Sequence, residues 1–329
     1  MRDRQRAKTI EDVARLAGTS RATASRVLAG SPAVSDSARE RVNRAAADLG
    51  YVPNAMARAL ATGRGDRIVL GIVSPQPVLS VDLYLGRAVT AATQAATAAG
   101  VGVSVHVLPL GAPNPLADLA ADRTVCGVVL FNTTFGLLTS VPRALAGRAV
   151  SIGVGSDLVP SIDVDNGGAA REIARYLYAT GRREIAMIGG PRWMPCTLRP
   201  RQAYTEVMAS VGLPTRIVYG DFTADSGRES AARLLAQWPE TDAIYASCDA
   251  TALGVLSLLG ERRIDVPGDV AVVGFDDIPY AQVGWPPLTT ATHPVETIVE
   301  YAVQTVLAGR PGRADDRIFD SHLVLRRSA

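Results

Sequence analysis

Apolar and polar positions along the first fifty residues repeat with a helical period. In "TIEDVARLAGTSRATASRVLAG", Ile10, Val13, Ala14 and Ala17 fall on one face of a first helix. Thr9 and Asp12 have capping-box spacing at its start, and Gly18 supplies its stop. Ser20 can cap a second helix, "RATASRVLA", with Ala24, Val27 and Leu28 inward and Arg21, Ala22, Ser25 and Arg26 outward. A third helix is expected from Ser35–Ser37 to Leu49, with Ser37 and Glu40 in capping-box spacing and Gly50 as its stop. Val42, Ala45, Ala46 and Leu49 would complete a three-helix core. Helix, glycine-containing turn and second helix form the helix-turn-helix pattern, whose second helix enters the major groove N-terminus first. Residues 1–50 therefore predict an all-α, DNA-binding head.

The next stretch, "GYVPNAMARALATG", predicts a short helix opened by Pro53 and closed by Gly63. It is shorter than the ~12–15 residues at which an isolated helix is even marginal in water. Met56 and Leu60, four apart, give it one apolar edge. Residues 51–65 thus read as a conditionally stable linker.

From residue 66 the period changes. Continuous apolar runs ("RIVLGIV", "VGVSVHVL", "VCGVVLF", "RAVSIGV", "REIAMIGG", "TDAIYAS", "DVAVVGFDD") alternate with amphipathic helical stretches such as "GAAREIARYLYATG" and "SGRESAARLLAQW". Such alternation predicts parallel sheets covered on both faces, and 66–329 is long enough for two lobes. Ligands of parallel sheets bind beyond the carboxyl ends of the strands. Ser74 with nearby Asp82 and Tyr84, Cys248 and Asp249 after "AIYAS", and Asp276 in "VVGFDD" are therefore candidate ligand contacts.

Charge sharpens this picture. The chain's net charge is only +2, but residues 1–65 carry 12 Lys/Arg against 6 Asp/Glu, and the rest 22 against 26. A basic head on a mildly acidic body fits a polyanionic partner for the head. Cys126, Cys196 and Cys248 share no metal-like spacing, and their odd number argues against a disulfide framework. No signal-peptide core opens the chain and no apolar run reaches membrane-spanning length, so a cytoplasmic, nucleoid-associated protein without membrane partners is expected. Nucleotide-binding and hydrolase signatures are missing: there is no G-x-G-x-x-G opening a βαβ unit, no Walker A and no G-x-S-x-G. His106, His293 and His322 show no metal spacing, and no cofactor is implied. An enzyme on a doubly wound body therefore lacks support, and the basic head argues against an exported solute-binding protein.

The run "TIEDVARLAGTSRATASRVLAG…VSDSARERVNRAAADLGYVPNAMARALATG" resembles the head of the lactose-repressor (LacI/GalR) family of bacterial transcription regulators. The resemblance implies a ligand-responsive repressor binding a near-palindromic operator as a homodimer. Its α/β core would have two lobes like periplasmic sugar-binding proteins, with a small-molecule effector, a carbohydrate or related metabolite, in the cleft. The first lobe would comprise about 66–163 and 293–319, the second about 164–292 and 320–329. Arg21, Ala22 and Arg26 match base-reading positions, and Arg bidentate to guanine is the commonest specific contact. Thr9, Ser20, Ser25 and Asn54 are candidate phosphate contacts, and Thr23 belongs to the same DNA-facing set. Leu60 matches the position that wedges into the minor groove, making residues 51–65 a hinge helix that folds on the operator.

In the body, the resemblance adds Phe222 as a ring-stacking residue and matches Asp276 to a carboxylate that accepts sugar hydroxyls. Three departures stand out. Ala38 occupies a position usually held by Thr. Pro200 and Ala203 occupy the Arg and Gly positions of an Arg-x-x-Gly-aromatic motif, leaving Arg199 or Arg201 to serve instead. Cys248 stands where Asn or Thr is usual; a thiol is a weak hydrogen-bonding group, which suits an effector less hydroxyl-rich than a hexose. The C-terminal "SHLVLRRSA" carries no heptad pattern, so a dimer is the expected assembly.

Overall fold

A computed structural model describes residues 8–28, 33–51, 65–75, 83–309 and 311–329. The expected hinge helix, with Asn54 and Leu60, lies outside them, as does Asp82. The chain divides into two compact units, residues 1–66 with 122–125 and residues 67–121 with 126–329.

The head contains α1 (Ile10–Leu16), α2 (Arg21–Leu28) and α3 (Asp36–Asp48). The capping box forms at α1: Asp12 Oδ2 accepts from the Thr9 amide at 2.9 Å, and Thr9 Oγ1 from the Asp12 amide at 3.4 Å. Gly18 then takes φ +61°, a left-handed conformation that glycine adopts without a Cβ penalty. Val13, Ala14, Ala17, Ala24, Val27, Val42, Ala45 and Ala46 form one core closed by Ile10, Leu28, Val34, Leu49 and Tyr51. Small residues dominate because three short helices must approach closely to bury anything at all. The third helix differs from expectation at its start. Ser35 is its N-cap, without a side-chain cap bond, and Ser37, already inside the first turn, accepts from Arg41 Nη1 at 2.8 Å. Ser37 and Glu40 therefore form no capping box. Ala38 is buried, with its methyl facing inward.

The body has two parallel sheets. β1 (Arg67–Ser74), β2 (Gly102–Pro109), β3 (Val125–Phe131), β4 (Ala149–Ile152), β5 (Ser161–Val164) and β11 (Arg317–Phe319) make a six-stranded sheet ordered β11-β5-β4-β3-β1-β2. β6 (Ile185–Gly189), β7 (Ile217–Tyr219), β8 (Ala243–Ala246) and β9 (Ala271–Val273) make a four-stranded sheet ordered β7-β6-β8-β9. β10 (Thr290–Ala291) pairs antiparallel with β12 (Leu323–Val324) beside the returning chain. The helices that position the site are α4 (Leu83–Ala98), α7 (Asn166–Ala179), α8 (Leu198–Ser210), α9 (Ala224–Gln237), α10 (Asp249–Glu261), α11 (Pro279–Val283) and α12 (Val295–Ala308). Two further short helices among the described residues are α5 (Ala117–Ala121) and α6 (Phe135–Thr139). α4 presents Ala88, Ala91, Ala92 and Ala96 inward and α12 presents Val295, Ile298, Val299, Ala302, Val303 and Val306, so a flat alanine face receives a branched one.

One apolar cluster runs through both sheets, from Ile68 and Leu70 to Tyr204 and Tyr245, and a second lies under α9 and α10. β2 is an edge strand: its "VSVHV" alternation leaves Val105 exposed and His106 half-buried.

Candidate functional site

Two sets of recognition residues emerge, one on each unit. On α2, Arg21, Ala22 and Arg26 are exposed while Ala24 and Val27 anchor the opposite face. Thr23 and Ser25 are half-buried along the margin. Ser20 Oγ accepts from the Thr23 amide at 3.0 Å and pairs with Thr23 Oγ1 at 2.9 Å, so this hydroxyl caps α2. Thr9 Oγ1 donates to Asp12 at 2.9 Å, and that carboxyl, held by the Thr9 amide and hydroxyl, sits below its usual range. Both candidate phosphate contacts are thus engaged in starting helices. Arg21 pairs with Glu11 at 2.7 Å with both side chains mostly exposed, an arrangement worth little in water and easily exchanged for another partner.

In the body, a cavity of about 300 Å³ opens at the carboxyl ends of β1, β3, β4, β5, β6, β8 and β9. Ser74, Tyr84, Phe222, Cys248 and Asp276 all reach its wall, although they come from elements up to two hundred residues apart. At its floor, Asp276 Oδ1 lies 2.9 Å from His293 Nδ1. An ionised carboxylate only accepts, so Nδ1 carries the proton of this bond, leaving Nε2 as the ring's other polar atom. That Nε2 is buried without a hydrogen-bond partner. The imidazole packs on Tyr84 (ring centroids 5.0 Å) and Phe275 (5.4 Å). Asp276 itself adopts φ +111°, sparsely populated for a non-glycine residue. Arg87, reaching from α4, fixes this arrangement. Its guanidinium makes two 2.7 Å bonds to Glu296 and donates at 3.1 Å to the carbonyls of both Asp276 and His293.

Two more polar atoms on the wall are buried and unpartnered: Asn166 Oδ1, at the start of α7, and Ser247 Oγ, at the end of β8. The apolar part of the wall includes Trp193, Met187, Met194 and Phe222. Phe222 has φ +71°, and its ring lies over Gly190 so closely that a Cβ there would stand 2.2 Å from Cζ. Glycine at 190 is what lets the ring into the cavity.

The remaining candidates sit elsewhere. Asp249 is buried but turned away from the cavity, accepting from the Ile278 amide at 2.9 Å and Thr290 Oγ1 at 2.5 Å. Burial first, then the nearby Asp276 charge, pushes its carboxyl well above the usual range. Arg201 points toward Tyr219, 3.4 Å from its hydroxyl. Arg199 is ion-paired with Asp163, which is buried on β5 and lines the cavity. Desolvation raises the Asp163 carboxyl to about 6, against the opposing pull of Arg199 and His293. Cys248 Sγ accepts from the Thr251 amide at 3.4 Å as the N-cap of α10, so the thiol works as a cap as well as a wall. Burial pushes this thiol and that of Cys196 up, Cys196 to about 12, and both stay protonated.

Asp163, Asn166, Ser247 and His293 were not among the sequence candidates. Ser247 obeys the same strand-end rule that selected Cys248. Asp163 lies on β5 and Asn166 just beyond it, and that four-residue strand is too short to stand out as an apolar run. His293 depends on partners at positions 84, 275 and 276, a relation no local spacing displays.

The comparisons with known proteins place both units. Residues 9–54 match the model of bacterial regulatory proteins of the lacI family, and residues 174–329 match the periplasmic binding protein-like domain. The HTH-type transcriptional regulator CelR of Thermobifida fusca is 34% identical over 99% of this chain and 99% of its own. A solved complex of the regulator CelR with cellobiose superposes with a TM-score of 0.72, at 31% identity over 98% of this chain and 100% of that one. The lac repressor dimer bound to operator and the anti-inducer ONPF superposes with a TM-score of 0.83, at 25% identity over 98% and 99%. A helix-turn-helix head on a periplasmic-binding-like core, matched along nearly its whole length, makes this chain a member of the lacI family of bacterial regulatory proteins.

Proposed function

We propose that the protein is a transcriptional repressor that binds a near-palindromic operator as a homodimer, in the bacterial cytoplasm, with a carbohydrate effector in the body cavity setting its affinity for DNA. The observation that carries the effector half is the cavity floor: Asp276 and His293 fixed by Arg87, with unpartnered buried polar atoms at His293 Nε2 and Asn166 Oδ1 on residues of the same wall as Trp193 and Phe222. Sugars offer the matching surface, hydroxyl donors around the edge of a ring and C–H faces that pack on aromatic side chains. The cellobiose held by the related regulator supports the same class. Arg21, Ala22 and Arg26 are the base readers in this reading, with Thr9, Thr23, Ser20 and Ser25 toward the backbone. Coupling between the sites is reciprocal: an effector that weakens operator binding binds more weakly to the operator-bound protein.

The test has two stages. DNA selected from a random pool by the purified protein is sequenced, and an inverted repeat is expected. Neutral mono- and disaccharides, cellobiose among them, are then screened for release or tightening of that DNA by fluorescence anisotropy. Selection without a repeated motif defeats the operator reading. A motif with no response to any saccharide defeats the carbohydrate reading.

A further inference from the structure

The cavity wall carries three carboxylates, Asp163, Asp221 and Asp276, and the His293 imidazole, but neither lysine nor arginine among its described residues. One guanidinium does come to its edge. Arg199, on the first turn of α8, extends to Asp163 and pairs with it, and the same nitrogen donates to the Gly153 carbonyl at 3.3 Å. Asp163 is 4% exposed, and its other oxygen accepts from the Val164 amide at 2.9 Å. The pair therefore consumes the positive charge before any ligand arrives.

The hydrogen-bonding sense of the wall agrees. Asn166 Oδ1 is an unpartnered acceptor on this wall, so a ligand that meets it must bring hydrogen. A phosphate or carboxylate group brings only acceptors and negative charge. Burying it against carboxylates, with no free cation, costs far more than burying a hydroxyl.

We propose that Asp163 sets the charge class of the ligand: by neutralising Arg199 at the cavity edge, it restricts the cleft to uncharged, hydroxyl-bearing molecules and excludes phosphorylated or carboxylated ones. This rests on the cavity being the effector site. A merely structural ion pair would alter stability when broken and leave anion affinity where it was.

Sulfate is the probe, since it stays dianionic and needs no knowledge of the effector. Its binding to the full-length protein is measured by calorimetry near neutral pH, exchanged against chloride at constant ionic strength. The wild type is expected to show no saturable binding. Asp163→Asn, which keeps the shape and removes the charge, is expected to bind sulfate at least about tenfold tighter, the equivalent of one charge-assisted hydrogen bond. Adding Arg199→Gln to that variant is expected to abolish the gain. An Asp163→Asn protein that treats sulfate as the wild type does overturns the proposal. So does wild-type sulfate binding that Arg199→Gln alone removes, an arm that holds even if Asp163→Asn does not fold. In the operator assay, a phosphorylated sugar acting as effector overturns this inference and leaves the effector site standing. Absence of any saccharide response counts against the carbohydrate reading instead.

Discussion

The reading helix and the cleft hold their recognition groups in opposite states. On α2, Arg21, Ala22 and Arg26, the base readers proposed above, are exposed to solvent, Arg21 in a mostly exposed pair with Glu11. In the cleft, His293 Nε2, Asn166 Oδ1 and Ser247 Oγ are buried and unpartnered. Leaving such an atom without a partner costs about 1–3 kcal/mol, so a ligand is favoured to the extent that it supplies one. An exposed reader discriminates by the fit of one contact. A pre-buried acceptor also discriminates against every analogue that leaves it unpaired, which is why polar pockets can reject near-isosteres so strongly. The surface site can therefore vary cheaply, whereas the pocket is committed by its own folding.

The sharpest way to break this contrast is Asp276→Ala. It removes the carboxylate that orients His293, and truncating one member of a buried polar pair costs about 2–5 kcal/mol, at least about thirtyfold in affinity. Effector response in an anisotropy titration should be lost while operator binding without effector is unchanged; equal losses at both sites would erase the distinction.

A second prediction concerns the commitment made by burial. The Asp163 carboxyl is raised from 3.8 to about 6, so the folded protein holds this proton more tightly than the unfolded chain does. The corresponding stability is fully present below about pH 4 and is lost as pH rises through about 6, about 3 kcal/mol at most. Urea unfolding across that window should show the decline in the wild type, and Asp163→Asn should flatten it. No residue on α2 should produce such a slope.

On the exposed side, Arg26→Ala should cost about 1–3 kcal/mol of operator binding and relax selectivity at one base pair. Competition between operator variants reads this directly, and unchanged discrimination would remove Arg26 from the readers. The smallest effect is expected at Ser20→Ala, which loses the α2 cap and about 1 kcal/mol of head stability. Arg26→Ala should leave the melting of the head untouched, so the two variants separate residues that read from residues that hold the reader in place.

The same contrast explains what the chain reveals before folding. The head was legible almost residue by residue because its signals are local: Thr9 with Asp12, Gly18, Ser20, and an apolar face at helical spacing. Even its one misplaced feature, the capping box at Ser37 and Glu40, was placed only two residues past the N-cap, Ser35, which carries no side-chain cap bond. In the body, strand-end logic brought Ser74, Tyr84, Cys248 and Asp276 to one cavity. It also selected Asp249, whose buried side chain turns back to tie Ile278 and Thr290. Arg201 turned away, and Asp163 went unselected, because orientation at a helix start depends on a partner strand and not on neighbours in sequence. The edge strand β11, the short β7 and the helix α12 were passed over among louder runs. Yet the valines of α12 at 295, 299, 303 and 306 carry a helical period that was there to be read.

The closed core of the head has a practical consequence. Among the described residues, its eight buried side chains pack with apolar partners between residues 10 and 51. Address and input are separable parts in the engineering sense. On the function proposed above, a regulator with a new operator is reached by exchanging the outward residues of α2, and one with a new effector by exchanging the body while the head is kept.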